Sequence, residues 1–169
     1  RWVVASYADY VPRFERQRPR RTHELIQKGA PCRLFYDMEH PDVSPERMSE
    51  FIGFVRAATR VVLARLFPTA RASCVVLTGS RQTKQSNHIV YNVSEGGQER
   101  LFTDSCAVER LARLVVAQIR LDEPTAMVHA TDVFPCALDM QVYAAGRTFR
   151  TPYSTGFDKE GVAMLPASS

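Results

Sequence analysis

The chain has 169 residues, with 22 Lys and Arg against 18 Asp and Glu, for a formal net charge of +4, and 45% of it is hydrophobic. That apolar fraction excludes an intrinsically disordered chain, and no apolar run approaches the roughly 20 residues of a membrane-spanning helix. The length suits one domain, or one domain made of two small modules. The chain opens at Arg1 without a signal-peptide pattern, which predicts an excerpt of a longer protein.

The first forty residues predict short elements. They are a strand at 2–4, a helix at 7–14, a basic loop at 13–21 and a strand at 22–26. The strongest strand follows at 32–39, where alternate side chains face opposite sides of a sheet.

The remaining elements alternate between helices and strands, which indicates an α/β or α+β fold. A long helix begins after Ser44, an N-cap residue, and ends before Pro68. The other predicted elements are strands at 74–77 and 88–93, a turn at 95–98, a helix from Asp104 or Ser105 to Arg120, strands at 137–143 and 148–150, and a loose tail from residue 161.

The four cysteines, Cys32, Cys74, Cys106 and Cys136, are widely spaced and include no C-x-x-C pair. Such spacing is a poor framework for disulfides or for a zinc site. The sequence therefore predicts buried, reduced thiols in an intracellular protein.

Three acids occupy strand positions that do not suit a plain core. Asp37 and Glu39 share one face of the predicted strand, with carboxylates roughly 6–7 Å apart, and Asp139 opens a later β-like run. Carboxylates this close repel one another unless a cation lies between them, and Mg²⁺ or Mn²⁺ prefers such oxygen ligands. Two metals held by carboxylates catalyse phosphoryl or nucleotidyl transfer. The alternative is a D-x-E segment that merely ends a strand at the solvent.

A second group of polar residues contains Lys84, Ser86 and His88, with Ser86 and His88 on one face of a strand entry. An ammonium, a hydroxyl and an imidazole that converge on one point suit a triphosphate. No G-x-x-x-x-G-K-[ST] loop is present, which argues against a P-loop enzyme. The alternative is a polar loop with a surface histidine.

Two arginines, Arg147 and Arg150, follow Asp139 after a turn. Guanidinium groups bind phosphates in a planar, bidentate way, so this pair suits a polyanionic substrate. Two solvated surface arginines are the alternative.

The order of these groups resembles the three-motif layout of the archaeo-eukaryotic primase superfamily, and the local sequence resembles its PrimPol-like branch. D-x-E ends a strand, S-x-H opens another, and a lone Asp precedes an Arg-x-Phe-Arg segment. The segments that carry the resemblance are HELI at 23–26, CRLFYDME at 32–39, SNHIVY at 86–91, DMQVY at 139–143 and GRTFR at 146–150.

The resemblance implies a primase–polymerase catalytic core over residues 1–169, truncated relative to the family and without its zinc module. Residues 1–31 would form part of an N-terminal module, 32–157 the catalytic module and 158–169 a tail. The implied fold is α/β (α+β), a two-module core with mixed sheets and an RRM-like palm.

The resemblance also assigns roles to the polar residues. It implies that the three acids hold Mn²⁺ or Mg²⁺ while a 3′-hydroxyl attacks the α-phosphate of a nucleotide. The implied metal-binding and catalytic residues are Asp37, Glu39 and Asp139, and the implied nucleotide-binding residues are Lys84, Ser86, His88, Arg147, Arg150 and Arg1.

The implied activity is that of a DNA primase and DNA polymerase that tolerates lesions. Its partners would be template DNA, primer and dNTP or NTP, with single-strand-binding or replication proteins reached through regions outside this chain, and no membrane. The compartment would be the nucleus, the mitochondrion or both. Two other classes stay open: a structural or nucleic-acid-binding subunit without turnover, and a metal-dependent nuclease or phosphoesterase.

Overall fold

The structure is a computed structural model, and its described part consists of several segments. The predictions at 2–4, 7–14 and 13–21, together with Arg1 and Cys136, lie outside them. The described residues are 23–27, 29–41, 43–79, 84–123, 138–144, 147–150 and 163–166.

These residues form a mixed helix-and-strand structure of the α+β class, in which every strand pair is antiparallel. The mixed sheets predicted from the resemblance would also contain parallel pairs, and the described segments show none. The strands are β1 (His23–Leu25), β2 (Phe35–His40), β3 (Arg71–Thr78), β4 (Gln85–Glu95), β5 (Gln98–Glu99), β6 (Thr148–Arg150) and β7 (Leu165–Pro166). The helices are α1 (Pro45–Leu66), α2 (Ser105–Asp122) and a 3₁₀ helix (Met140–Tyr143).

The main sheet has the strand order β2-β4-β3-β7, and β5 pairs with β4 beyond the turn between them. Since β2 and β3 are both antiparallel to β4, they run in the same direction with β4 between them. Helix α1 connects β2 to β3, which makes this a split β-α-β unit. After α2 the chain returns to the outer edge of β2, where Leu138 forms an antiparallel bridge with Met38.

The two helices begin where the sequence predicts. The Ser44 side chain accepts a hydrogen bond from the backbone N–H of Arg47 at 3.3 Å, and Asp104 does the same for Ala107 at 2.8 Å. These caps satisfy N–H groups that have no partner inside the helix. Neither helix is long and apolar enough to cross a membrane, among the residues described.

One face of the main sheet is covered by the helices and forms the core. Leu34, Tyr36 and Met38 of the β2 segment are fully buried there. The Tyr36 hydroxyl lies 3.0 Å from the Thr59 hydroxyl of α1, and its ring makes an edge contact with Tyr91. The alternation predicted for residues 32–39 is therefore confirmed on this face.

We expect the two core tyrosines, Tyr36 and Tyr91, to make the protein less stable at alkaline pH. Burial raises the pKa of both above the value of about 10 that tyrosine has in an unfolded chain. The folded state therefore favours the protonated phenol, so this stabilisation is complete below about pH 10 and is lost as the pH rises further. Urea unfolding at a series of pH values from about 7 to 11 measures the decline.

The matched variant for this experiment is Tyr36→Phe. It costs about 1 kcal/mol at neutral pH because the hydrogen bond to Thr59 is lost. Its stability also declines less steeply above about pH 10, since one of the buried tyrosines with a raised pKa is gone. An equally steep decline in both proteins would contradict this account.

The predicted strand at 137–143 is wrong for residues 138–143, and residue 137 lies outside the described residues. Only Leu138 bridges to the sheet, and a 3₁₀ helix follows at Met140–Tyr143. The Asp139 side chain accepts a hydrogen bond from the backbone N–H of Gln141 at 2.8 Å, which starts a turn at the point where a strand would continue. Local side-chain bonds of this kind compete with a sheet ladder.

The prediction of a loose tail from residue 161 is wrong for residues 163–166. Strand β7 pairs with the end of β3, with Leu165 opposite Thr78 and Pro166 opposite Leu77. The neighbouring Met164 is fully buried, and this apolar contact favours docking of the segment.

The prediction of buried thiols is wrong for the three cysteines that the structure describes. Cys32, Cys74 and Cys106 are free, but Cys32 and Cys74 are only half-buried and Cys106 is exposed. Cys106 lies in the first turn of α2, on its solvent side. Burial, followed by the negative charges of Asp104 and Glu24, raises the pKa of the Cys32 thiol to about 11.

Candidate active site

The second face of the main sheet carries the polar residues that the sequence singled out. In the pairing of β2 with β4, Asp37 lies opposite His88 and Glu39 lies opposite Ser86. Directly opposite residues in antiparallel strands share a face, so the D-x-E and S-x-H segments form one cluster.

Asp139 joins this cluster from the other side of β2. Its backbone N–H donates to the carbonyl oxygen of Asp37 at 2.8 Å, next to the bridge between Leu138 and Met38. In that register Asp139 lies directly opposite Asp37, where Cβ atoms are roughly 4.5–5.5 Å apart. The structure thus brings together two acids that are 102 positions apart in the chain.

Glu39 already has two polar contacts. The Lys84 ammonium lies 2.5 Å from its Oε2 atom, and the Ser86 hydroxyl donates to its Oε1 atom at 3.2 Å. The Lys84 side chain is 35% exposed and that of Glu39 is 29% exposed, so this pair lies at the open side of the cluster.

His88 lies at the closed side. Its Nε2 atom is 3.6 Å from Oδ1 of Asp37, which is too long for a hydrogen bond and makes the contact electrostatic. The His88 side chain is 3% exposed and that of Asp37 is 16% exposed. The cluster is therefore buried at the His88 imidazole and accessible to solvent at the Lys84 ammonium.

The central strand is unusual in its burial of polar groups. Four consecutive residues of β4 are buried although all are polar: Gln85, Ser86, Asn87 and His88. Burial of polar groups is costly unless they have partners, and such groups concentrate where a protein needs their chemistry.

Aromatic rings close the buried end of the cluster. Phe149 of β6 stacks on the His88 ring with centroids 3.9 Å apart and an angle of 25° between the planes. Phe35 lies between Phe149 and Tyr143, with centroids 5.0 and 5.2 Å away. No sequence pattern predicts a role for Phe149 or Tyr143, although Phe149 belongs to the Arg-x-Phe-Arg segment that carries the resemblance.

The two predicted arginines lie at the ends of β6, with Arg147 just before the strand and Arg150 as its last residue. Arg147 is exposed, and its Nη2 atom donates to the Gln141 side chain at 3.4 Å, while its carbonyl accepts the N–H of Ile26 at 3.0 Å. Arg150 pairs with His23 between β6 and β1, and only its backbone is described. Arg1 lies outside the described residues.

The acids of the cluster can be compared with the ligands that a divalent cation needs. Among them, no group of three or more His, Cys, Asp or Glu side chains is arranged to hold a metal ion. Asp37 and Asp139, however, present carboxylate oxygens from directly opposite positions. Mg²⁺ is commonly bound by one or two carboxylates together with substrate phosphates, so a pair of acids is a sufficient donor set.

Comparison of the chain with known proteins identifies no family for it. The chain matches no protein-family model, and no curated protein is found to match it.

Proposed function

We propose that this chain transfers nucleotides onto the 3′-hydroxyl of a nucleic acid under the direction of a template, as a DNA primase and polymerase. The observation that carries the proposal is the placement of Asp37 opposite Asp139. Beside them, β4 contributes Ser86 and His88, and Lys84 comes just before that strand. Paired acids beside cationic and hydroxyl groups suit a metal–triphosphate substrate. The proposal rests equally on the motif resemblance to the PrimPol-like branch.

The topology of the main sheet supports the RRM-like palm that the resemblance implies. The split β-α-β unit, with a second helix and then a segment bridging to the edge of β2, has the order of a β-α-β-β-α-β unit. Both helices pack on one sheet face, which leaves the other for the polar cluster. The division into two modules is part of the proposal.

Mn²⁺ or Mg²⁺ would supply activation of the attacking hydroxyl and neutralisation of the developing charge. Asp37 and Asp139 would hold the ion, with Glu39 as the third acid of the proposed set. Glu39 would then exchange its contact with Lys84 for the ion, and the released ammonium would face the triphosphate. A compact ammonium on a flexible stem is well suited to follow a polyphosphate chain.

The other nucleotide contacts are proposed from the resemblance. Ser86 and His88 would donate hydrogen bonds to phosphate oxygens, and Arg150 and Arg1 would add positive charge. Arg147 would lie near the templating base. Template DNA, primer and nucleotides are the proposed partners, with replication or single-strand-binding proteins as further ones, and the nucleus or the mitochondrion is the proposed compartment.

Lys84→Met removes the proposed triphosphate contact at the open side of the cluster. We expect the KM for dNTP to rise about tenfold, with a smaller change in kcat, because one charge-assisted contact is worth roughly 1.5–3 kcal/mol. Steady-state primer extension over a range of dNTP concentrations measures both constants. Lys84→Arg, which keeps the charge, should recover most of the loss; a KM unchanged by Lys84→Met would remove Lys84 from the proposed site.

A second function is favoured by one observation. Glu39 is satisfied by Lys84 and Ser86, and the Asp139 carboxylate is used to begin a 3₁₀ helix. These contacts let the cluster persist without a metal, as in a PrimPol-like fold that binds nucleic acid or supports an assembly without turnover.

Primer extension separates the candidates. The protein is incubated with primed or unprimed template, dNTPs and Mn²⁺ or Mg²⁺, beside an Asp37→Ala/Glu39→Ala double variant and a Glu99→Gln control. Glu99 is an exposed acid on β5 that pairs with Arg33, away from the cluster.

Synthesis by the wild type and the control, lost in the double variant, is the expected result. DNA binding without synthesis, equal in all three proteins, would favour the second function. Shortened DNA that depends on the two acids would indicate a metal-dependent nuclease instead.

A further inference from the structure

The outer edge of β2 has two carbonyl acceptors that matter for the position of Asp139. The first is the carbonyl of Asp37, which accepts the N–H of Asp139. The second is the carbonyl of Phe35, two residues earlier and on the same edge. In a continued antiparallel strand the N–H of Gln141 would donate to it.

In this chain the N–H of Gln141 has a different acceptor. The N–H of Gln141 donates to Oδ1 of Asp139, and the backbone turns into the 3₁₀ helix. Without another donor, the carbonyl of Phe35 would be left buried and unsatisfied, and Asp139 would be held on β2 by the single bridge at its start.

The Tyr143 hydroxyl takes the place of the missing backbone donor. It donates to the carbonyl oxygen of Phe35 at 2.9 Å, and Tyr143 is only 2% exposed. The Tyr143 carbonyl in turn accepts a hydrogen bond from the Ser105 hydroxyl of α2 at 2.9 Å. One side chain thus connects the 3₁₀ helix to β2 while its backbone is fixed to α2.

We propose that Tyr143 is a positioning residue that holds Asp139 opposite Asp37 by replacing the ladder hydrogen bond lost where the chain leaves the sheet. The effect of Tyr143 on metal binding rests on the proposed function, whereas its effect on the backbone position of Asp139 does not. Outer partners that orient a metal ligand commonly change metal affinity by about 10–100-fold when they are removed.

The ionisation state of Tyr143 agrees with this role. Burial, followed by the nearby Tyr36 and the carboxylate of Asp37, raises the pKa of the Tyr143 hydroxyl well above its usual value. The hydroxyl is therefore protonated at neutral pH and available as a donor.

Tyr143→Phe tests the proposal, since it keeps the ring and removes only the donor. The matched control is Tyr36→Phe, which removes a buried hydroxyl from the opposite face of β2, where the partner is Thr59. The two measurements are backbone hydrogen exchange by NMR and Mn²⁺ affinity by calorimetry on the full chain.

We expect Tyr143→Phe to speed exchange of the Asp139 amide about tenfold and to weaken Mn²⁺ binding by about 10–100-fold. Tyr36→Phe should change neither quantity. If Tyr143→Phe does not fold, Ser105→Ala, which frees the Tyr143 carbonyl, should show smaller changes in the same direction.

Unchanged exchange at Asp139 would overturn the proposal. Faster exchange in a variant that binds Mn²⁺ as tightly as the wild type would overturn its link to the metal. If the Asp139 amide exchanges faster in Tyr143→Phe but the wild type binds no Mn²⁺, the positioning role is supported and the proposed function is rejected. The two failures are therefore distinguishable.

Discussion

Asp37→Asn and Asp139→Asn should each lower the rate of nucleotidyl transfer about a thousandfold, because metal-assisted charge stabilisation is worth several kcal/mol and each tenfold corresponds to about 1.4 kcal/mol. The same variants should lose the rise in melting temperature that Mn²⁺ gives the wild type, since binding to the folded state alone stabilises it. Primer extension and thermal unfolding with and without Mn²⁺ measure the two effects.

The stability of the variants and the wild type without metal provides a second, sharper test. Like charges at directly opposite sheet positions are destabilising by a few tenths of a kcal/mol to about 1 kcal/mol. The asparagine variants should therefore be at least as stable as the wild type without metal, and less stable than it with metal. Asp139→Asn also keeps an oxygen acceptor for the N–H of Gln141, so the 3₁₀ helix is retained.

Asp104→Asn is the matched control for these variants. Asp104 caps α2 through the N–H of Ala107, and asparagine caps helices about as well as aspartate. This variant should keep both the activity and the Mn²⁺ effect. A wild type whose melting temperature is indifferent to Mn²⁺ and Mg²⁺, or an Asp37→Asn variant that responds as the wild type does, would contradict the proposed metal site.

The local arrangement of this site could be predicted from sequence because it follows from strand geometry. Residues two apart in a strand share a face, which places Asp37 with Glu39 and Ser86 with His88 before any pairing is known. The cap at Ser44 is predictable on equally local grounds, whereas the sequence leaves the start of α2 open between Asp104 and Ser105.

The long-range arrangement could not be predicted from the residues alone. Which strand residue lies opposite which depends on register, and a slip of one position would have turned His88 away from Asp37. The 3₁₀ helix at Met140–Tyr143 could not be predicted, because apolar residues such as Leu138 and Val142 suit a strand. The competing hydrogen bond, which the Asp139 side chain accepts from the N–H of Gln141, depends on a single oxygen atom.

The contact between β6 and the main sheet could not be predicted from the residues alone either. Strand β6 has only three residues and pairs with β1, so nothing in its own pattern predicts a partner on β4. Phe149 joins the two sheets at the cluster, because it stacks on His88 and also contacts Phe35. We therefore expect the Phe149 ring to contribute both to stability and to the position of the His88 ring, and substitutions at Phe149 should separate the two effects.

Phe149→Ala should lower the free energy of unfolding by about 3–5 kcal/mol, the usual cost of truncating a buried phenylalanine. Phe149 is 5% exposed and contacts Phe35 as well as His88, so its removal leaves a cavity between the β1–β6 ribbon and the main sheet. Phe149→Leu, which keeps much of the apolar volume, should cost under about 1.5 kcal/mol. Urea unfolding of the three proteins gives these differences.

The same pair of variants tests whether the stack also serves the site. In Phe149→Leu the fold is retained but the flat contact that fixes the His88 ring is lost, so we expect primer extension to fall by about tenfold or more, as for other displaced active-site groups. Phe67→Ala is the control, because Phe67 makes an aromatic contact with Phe102 at a distance from the acids. It should lose stability and keep activity in the remaining folded protein. If Phe149→Leu keeps full activity while Phe149→Ala is strongly destabilised, the ring holds the two sheets together and has no part in placing His88.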